Sequence, residues 1–373
     1  MTPTLTRAIP FFDYSRLFTD EEEMLLAIVR DVGRRGAFVL QHDLARFEQN
    51  LAQFLGVGHA LGVANGTDGL IIALRAAGVR KGDEVIFSSH TMIATAAAIH
   101  FVGAAPVPVE CGADHLIDPQ AVARAVTPRT RAILPTQLNG RTADMAKLDA
   151  IARRHGLLVV EDAAQALGSK FQGQAAGTFG AASAISFFPA KVLGCLGDGG
   201  AVVTPRDPVH DRMLELRDHG RRADGEIVSW GLNSRLDNLQ AAILDARLKK
   251  FPAVIERRRA LARLYKSRLS GIEELALPPG PDGDQDHFDI YQNYEIEALH
   301  RDRLRTHLQE RGIGTLIPWG GKAVHQWDKL SFVEKLPFTE KLFEQMLLLP
   351  LNMFLSDDDV NLVCDAIHAF YRG

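Results

Sequence analysis

Between about residues 40 and 205 the apolar positions follow two rhythms in alternation. Over 46–55, 68–77 and 145–155 they recur every three or four residues, the spacing of a helix with one buried face. Between these lie short apolar runs, 83–87, 132–135 and 157–161, with no polar alternation. Runs of that kind suit strands covered on both faces. Residues 91–102 are small and apolar and predict a further helix. Strand and helix taking turns in this way predict a mainly parallel sheet wrapped by helices.

The pattern changes later. Residues 239–271 read as one long helical stretch, broken at Pro252. A loop rich in Pro, Gly and Asp follows over 278–286. A strand at 291–296, a helix at 302–311 and a final helix from Ser356 onward complete a smaller α+β unit. A chain of 373 residues exceeds the usual size of one compact core. The expectation is therefore a large α/β domain over 1–250 and a small C-terminal domain over 251–373. Neither an internal repeat nor a low-complexity tract interrupts this reading.

Composition narrows the partners. Hydrophobic residues make up 46% and charged residues 24%, ordinary for a globular chain. A net charge of −4 gives no broad attraction to nucleic acid or to an anionic membrane. Lys249-Lys250 and Arg257-Arg258-Arg259 read as a solvated helix face. Cys111, Cys195 and Cys364 show neither disulfide nor metal spacing, which fits a reducing compartment and predicts no metal. The opening MTPTLTRAIPFFDYSRLFTDEEE has no basic stretch followed by an apolar core, so it does not read as a secretion signal. No run of roughly 18 apolar residues occurs. The expected location is the cytoplasm.

Four segments carry candidate chemistry. Ala64-Asn65-Gly66-Thr67-Asp68-Gly69-Leu70 joins a strand-like run to a helix. Such a turn aims N–H groups and the Thr67 hydroxyl at an anion, although it also fits an ordinary helix capped by Thr67 or Asp68. In Val159-Val160-Glu161-Asp162-Ala163-Ala164-Gln165 an apolar run ends in an acid pair, which places Asp162 at the carboxyl end of a buried strand, where open sheets bind ligands. Asp162 could also cap a helix. In Ser186-Phe187-Phe188-Pro189-Ala190-Lys191 an isolated lysine precedes a glycine-rich loop, and no other charge lies between Lys170 and Asp198. A desolvated lysine of this sort condenses with an aldehyde, while a snorkelling core lysine is the plainer alternative. Gly231-Leu232-Asn233-Ser234-Arg235 reads by composition as a surface loop entering a helix.

Taken in order, GVANGTDGL, GDEVI, VVEDAAQALGS, SFFPAKVLGCLGDGGAVVT, GLNSRLDNLQAAIL and GIGT resemble the sugar aminotransferases of the DegT and StrS type. That family is a branch of the pyridoxal-phosphate (PLP) enzymes of fold type I. The resemblance runs from about Gly36 to the terminal helix. It implies a homodimer with shared sites, Lys191 as the cofactor's Schiff-base lysine and proton carrier, Asp162 against the pyridinium nitrogen, and Gln165 near the cofactor hydroxyl. Gly66, Thr67 and Ser186 would bind the phosphate, and Asn233 would reach it from the second subunit. Met92 stands where the family often has an aromatic residue over the ring. His90, Trp319, Lys322 and His325 fall where the resemblance places the sugar side. Gln137 and Asn139 depart from the family's usual His and Tyr.

The activity implied is transfer of an amino group from L-glutamate to a nucleotide-linked keto sugar. The leading expectation is a dTDP-4-keto-6-deoxyhexose, with the 3-keto sugar second; other nucleotides and cyclitols stay open. Relatives that dehydrate sugars carry histidine at the lysine position, and a non-catalytic regulator would be expected to lose the lysine or the aspartate. Lys191 and Asp162 are both present. A dehydrogenase would need a Gly-x-Gly-x-x-Gly turn between strand and helix, and none stands at such a junction.

Overall fold

A computed structural model describes residues 8–372, so the first seven residues of the opening segment lie outside the described residues. Among the described residues, seven strands form the large sheet: β1 (His59–Val63), β2 (Glu84–Ser88), β3 (Ala105–Val109), β4 (Thr130–Leu134), β5 (Leu158–Asp162), β6 (Ala182–Ser186) and β7 (Gly200–Thr204). They lie in the order β1-β7-β6-β5-β4-β2-β3. β7 runs antiparallel to β1 and β6, and every other pairing is parallel. The sheet is thus mixed and mainly parallel. Its strands read as unbroken apolar runs because helices cover both faces; β2 and β7 are buried at every position. The exception explains the acid pair. Alternation along β5 sends Glu161 and Asp162 to opposite faces. Glu161 accepts from the Gln137 amide and from the N–H groups of Gly177, Phe179 and Gly180, so it anchors a loop, and Asp162 is left for the other side.

The helices predicted at 68–77, 91–102 and 145–155 form as Gly66–Ala77, Ile93–Phe101 and Met145–His155. The stretch read as one long helix is two, Asn238–Leu248 and Phe251–Leu269. Pro252 does not break a helix; it sits in the first turn of the second one, where its missing N–H has no helical partner to lose. Helices Glu22–Arg35 and Asp207–Arg217 carry no prediction above, and both pack on the large unit.

The C-terminal residues build an antiparallel sheet from Leu275–Ala276, Tyr294–Ala298 and Met346–Leu349. Its core stacks Tyr265 on Tyr294 at 4.8 Å, with Leu304, Leu347 and Val363 around them; Ile9 joins from the other end of the chain by pairing with Ile313. The strand begins at Tyr294 instead of residue 291 because Tyr291 takes a left-handed φ of 53°, which ends any extended run. The basic cluster is not a solvated face. Arg257 pairs with Asp357 at the surface, but Arg258 and Arg259 are buried against backbone carbonyls. No helix among the described residues is long and apolar enough to cross a membrane.

Candidate active site

Asp162 ends β5 with its carboxylate buried. One oxygen accepts from the Thr95 hydroxyl at 2.7 Å and the other from the Ala164 N–H at 3.1 Å. Behind Thr95 the Thr91 and Thr136 hydroxyls continue the chain, each contact at 2.9 Å. Thr95 gives its proton to the carboxylate, so Thr91 must donate to Thr95 and Thr136 to Thr91. Three O–H dipoles therefore point at one buried charge. Burial pushes the Asp162 carboxyl above the ordinary range, while Thr95, Ala164 N–H and the charge of Lys191 pull the other way.

Lys191 sits in the loop between β6 and β7. Its backbone N–H donates to the Phe188 carbonyl at 2.8 Å, closing the turn that Pro189 begins. Its side chain is half-buried, and its amine has no hydrogen-bond or ion-pair partner among the described residues. Crowding by protein atoms lowers its proton affinity to about 8, against the opposing pull of Asp162. An unpartnered amine that is neutral in part near pH 7.5 is a nucleophile. A snorkelling core lysine would keep its charge in water.

The phosphate-type turn is capped by Asn65, whose side chain accepts from Asp68 N–H at 2.8 Å; neither Thr67 nor Asp68 is the cap. The N–H groups of Gly66 and Thr67 are left over by the helix. Beside them stands Ser186, so near that a Cβ on Gly66 would lie 3.0 Å from the Ser186 Cβ. A Cβ on Gly200 would lie 2.6 Å from the Asn65 carbonyl carbon. The bare backbone at both glycines lets β7 and the turn close together beneath the anion position.

Gly66, Thr67, Met92, Asp162, Gln165, Ser186 and Lys191 line one cleft of about 840 Å³, open solvent included. Asn65, Thr91, Thr136, Phe188 and Asp198 line it too, and carry no site assignment above. The threonines were legible only as small polar residues in an apolar helix and strand end. Gln165 accepts from Asn139 N–H at 3.0 Å and from the Asn293 amide at 3.3 Å. Gln137, in contrast, is buried on Glu161 and faces away.

Five expected residues lie elsewhere in the single chain. Asn233 is exposed and outside the cleft. His90 is buried beside Glu295, at 3.5 Å, with the Trp319 ring 5.6 Å away. His325 is buried between Ser89 and Glu340, at 2.7 and 3.1 Å. Trp319 occupies a left-handed turn ahead of Gly320-Gly321. Lys322 is exposed with its amine 5.2 Å from the Trp327 ring.

His115 joins the His90 group. It contacts Glu295 at 2.7 Å and Glu297 at 3.2 Å, so loops of the large sheet are tied to the strand Tyr294–Ala298. Burial disfavours the imidazolium of His115, yet the two glutamates outweigh it and lift it to about 9. Burial likewise opposes the charge on Glu295, but His90 and His115 hold its carboxyl far below the usual range.

The chain matches the model of the DegT/DnrJ/EryC1/StrS aminotransferase family over residues 19–368. It is 40% identical to the dTDP-3-amino-3,4,6-trideoxy-alpha-D-glucose transaminase of Streptomyces venezuelae, covering 97% of this chain and 96% of that one. It is 36% identical to a UDP-N-acetyl-3-dehydro-alpha-D-glucosamine 3-aminotransferase of Acidithiobacillus ferrooxidans, over 99% of this chain and the whole of the other. Among solved structures, DesV of S. venezuelae, crystallised in complex with a ketimine intermediate, superposes with a TM-score of 0.94 at 39% identity, covering 99% of this chain and 100% of that one.

Proposed function

We propose, for a chain that belongs to the DegT/DnrJ/EryC1/StrS aminotransferase family, amino transfer from L-glutamate to carbon 3 of a nucleotide-linked keto sugar. Enzymes of this family depend on PLP. The observation that carries the reading is the unpartnered, low-affinity amine of Lys191 sharing one cleft with the supported carboxylate of Asp162. Position 3 replaces the 4-keto expectation because the relatives quoted above act, by their names, at a 3-amino or 3-dehydro carbon.

The cleft fits PLP. It offers an amine for the aldehyde, a buried carboxylate for the ring nitrogen, and free helix-start N–H groups with Ser186 for the phosphate, where Gly66 leaves room that a side chain would fill. Met92 would pack against the ring, and Gln165 would meet its hydroxyl side. When bound, the cofactor supplies an electron sink for the charge left at the substrate's α-carbon. Asp162, ionised, would hold a proton on the ring nitrogen and so keep that sink open. The Lys191 amine would be the base that takes the proton from Cα of the donor, and in the second half of the reaction the acid that delivers one to the sugar carbon. Transfer by such a placed amine is worth roughly 10²–10⁴-fold in rate.

The exposure of Asn233 supports a homodimer in which it serves the phosphate of the other copy. The separate core around Tyr265 and Tyr294 supports a small unit beginning near residue 250. The test is to offer the purified protein PLP and glutamate with dTDP-3-keto and dTDP-4-keto sugars. Amination of the 3-keto sugar is the expected result. Amination of the 4-keto sugar alone would overturn position 3, and activity on a cyclitol ketone alone would overturn the sugar reading.

A further inference from the structure

Two residues on either side of Lys191 share a partner from the other end of the chain. The Gln292 amide donates to the Ala190 carbonyl at 2.8 Å and accepts from the Val192 N–H at 2.9 Å. It thus pairs with the lysine loop as a neighbouring strand would, across Lys191 itself. The next residue does the same for the other wall of the cleft. The Asn293 amide donates to Asn139 Oδ1 at 2.8 Å and to Gln165 Oε1 at 3.3 Å.

The segment 291–293 is held on its far side as well. Arg258 donates to the carbonyls of Tyr291 and Gln292 at 2.8 and 2.7 Å. It is buried and has no acidic partner among the described residues, an arrangement that burial alone disfavours strongly enough to bring its proton affinity down to about 9. Tyr291 keeps a left-handed backbone, unfavourable for a residue with a Cβ. Gly140 meets the segment so closely that a Cβ there would lie 2.5 Å from Gln292 N and 2.7 Å from Tyr291 N. A lone buried guanidinium, a strained tyrosine and a forced glycine all converge on a segment in which Gln292 and Asn293 bond to the loop and wall that line the cofactor cleft.

We propose that 291–293 is a crosspiece set by Arg258, in which Gln292 positions Lys191 and Asn293 positions Gln165, so that the two walls of the cleft are registered against one another. The inference rests on the assignment of Lys191 as the cofactor lysine. Gln292 touches no reacting atom; it acts by holding the loop that carries one.

The test is Gln292→Leu, which keeps the volume and removes both hydrogen bonds. Apo-protein is mixed with PLP, and the initial rate of visible absorbance gain is followed against pH. In the wild type this rate should have its midpoint near pH 8, where the crowded amine is half neutral, and level off above it. A loosened loop returns the amine to water, so the midpoint in the variant should move up by a unit or more, with capture at pH 7.5 about tenfold slower. On the loaded enzyme, kcat should fall by roughly ten- to a hundredfold with the sugar KM within about twofold, as for a displaced reacting group. A purely structural glutamine would lower the melting temperature and leave the midpoint where it was. An unmoved midpoint together with unchanged kcat overturns the inference. If the leucine variant does not fold, Gln292→Met, which also removes both hydrogen bonds and adds no charge beside the lysine, is judged by the same two readouts. Wild-type protein that never gains visible absorbance would refute the Lys191 assignment and this inference with it, whereas an unaltered Gln292→Leu beside a normal wild type refutes the inference alone.

Discussion

Thr95→Val is the sharpest probe of the catalytic carboxylate, because it removes one hydroxyl and almost no volume. Among the described residues Thr95 is the one side chain that donates to Asp162, and both are buried. A hydrogen bond to a charged group contributes about 1.5–3 kcal/mol. At about 1.4 kcal/mol per factor of ten, its loss raises the carboxylate's proton affinity roughly ten- to a hundredfold. The proton then favours Asp162 over the ring nitrogen, and the electron sink weakens. Stopped-flow mixing of the loaded enzyme with glutamate should show the visible band bleaching about tenfold or more slowly than in the wild type, with PLP affinity little changed. Thr95→Ser, which keeps the hydroxyl, should restore most of the rate. Stability gives a second readout with a definite sign. Burial already places the Asp162 carboxyl above its unfolded value, and the variant places it higher still. The extra instability of the apo-variant therefore exists only where Asp162 is ionised in the wild-type fold, and it should fade as pH falls. A bleaching rate within twofold of wild type from pH 6 to 9 would refute the role given to the threonine chain.

Lys191→Ala should abolish both the visible absorbance gained with PLP and all turnover; transaminase activity surviving in that variant would remove the lysine from the mechanism. With its affinity near 8, about a quarter of the Lys191 amine is neutral at pH 7.5, against about one in a thousand for an ordinary lysine, so capture of PLP should climb with pH and flatten above 8. A rate still rising tenfold per unit at pH 10 would contradict this. Mixing separately inactivated Lys191→Ala and Asn233→Ala homodimers should restore about a quarter of wild-type activity if sites are shared, since each mixed dimer then holds one intact site. No recovery after verified subunit exchange counts against sharing. Glu295→Gln strips the carboxylate from buried His90 and half-buried His115 and should cost about 3–5 kcal/mol. Because His115 is lifted to about 9, the stabilisation is fully present below the unfolded histidine value and is lost as pH rises through 9. The gap in melting temperature between variant and wild type should accordingly close in alkaline buffer, and a gap independent of pH would contradict the charge assignment.

The parts of the site that were legible in the sequence are those tied to a periodic element. Asp162 ends an apolar run suited to a buried strand, and Lys191 is the lone charge in a long apolar and glycine-rich interval. Gly66 and Thr67 stand at a strand-to-helix turn. Each is fixed by the end of a regular element, and the cleft gathers them together. Arg258 misled the reading because three consecutive arginines look solvated; its burial depends on carbonyls more than thirty residues away, which no local pattern records. Thr95 was hidden for a related reason. Its hydroxyl lies on the buried face of a helix of small residues, and its partner belongs to a strand 67 positions on. Gln292 and Asn293 stood inside a predicted strand, but the left-handed Tyr291 ends that run and leaves them to bond to the lysine loop and to Gln165.

That asymmetry bears on why the catalytic motifs leave the ketone position open. Asp162 lies at a strand end of the large sheet and Lys191 in the loop that follows a neighbouring strand, both beside a buried core. The segments expected on the sugar side are different in kind. Pro318-Trp319-Gly320-Gly321 carries a left-handed tryptophan and two left-handed glycines, and no hydrophobic period constrains it. Relatives that share 36–40% identity with this chain carry names with dTDP-linked and with UDP-linked sugars, both at position 3. Between those two relatives the named nucleotide changes while the named carbon does not.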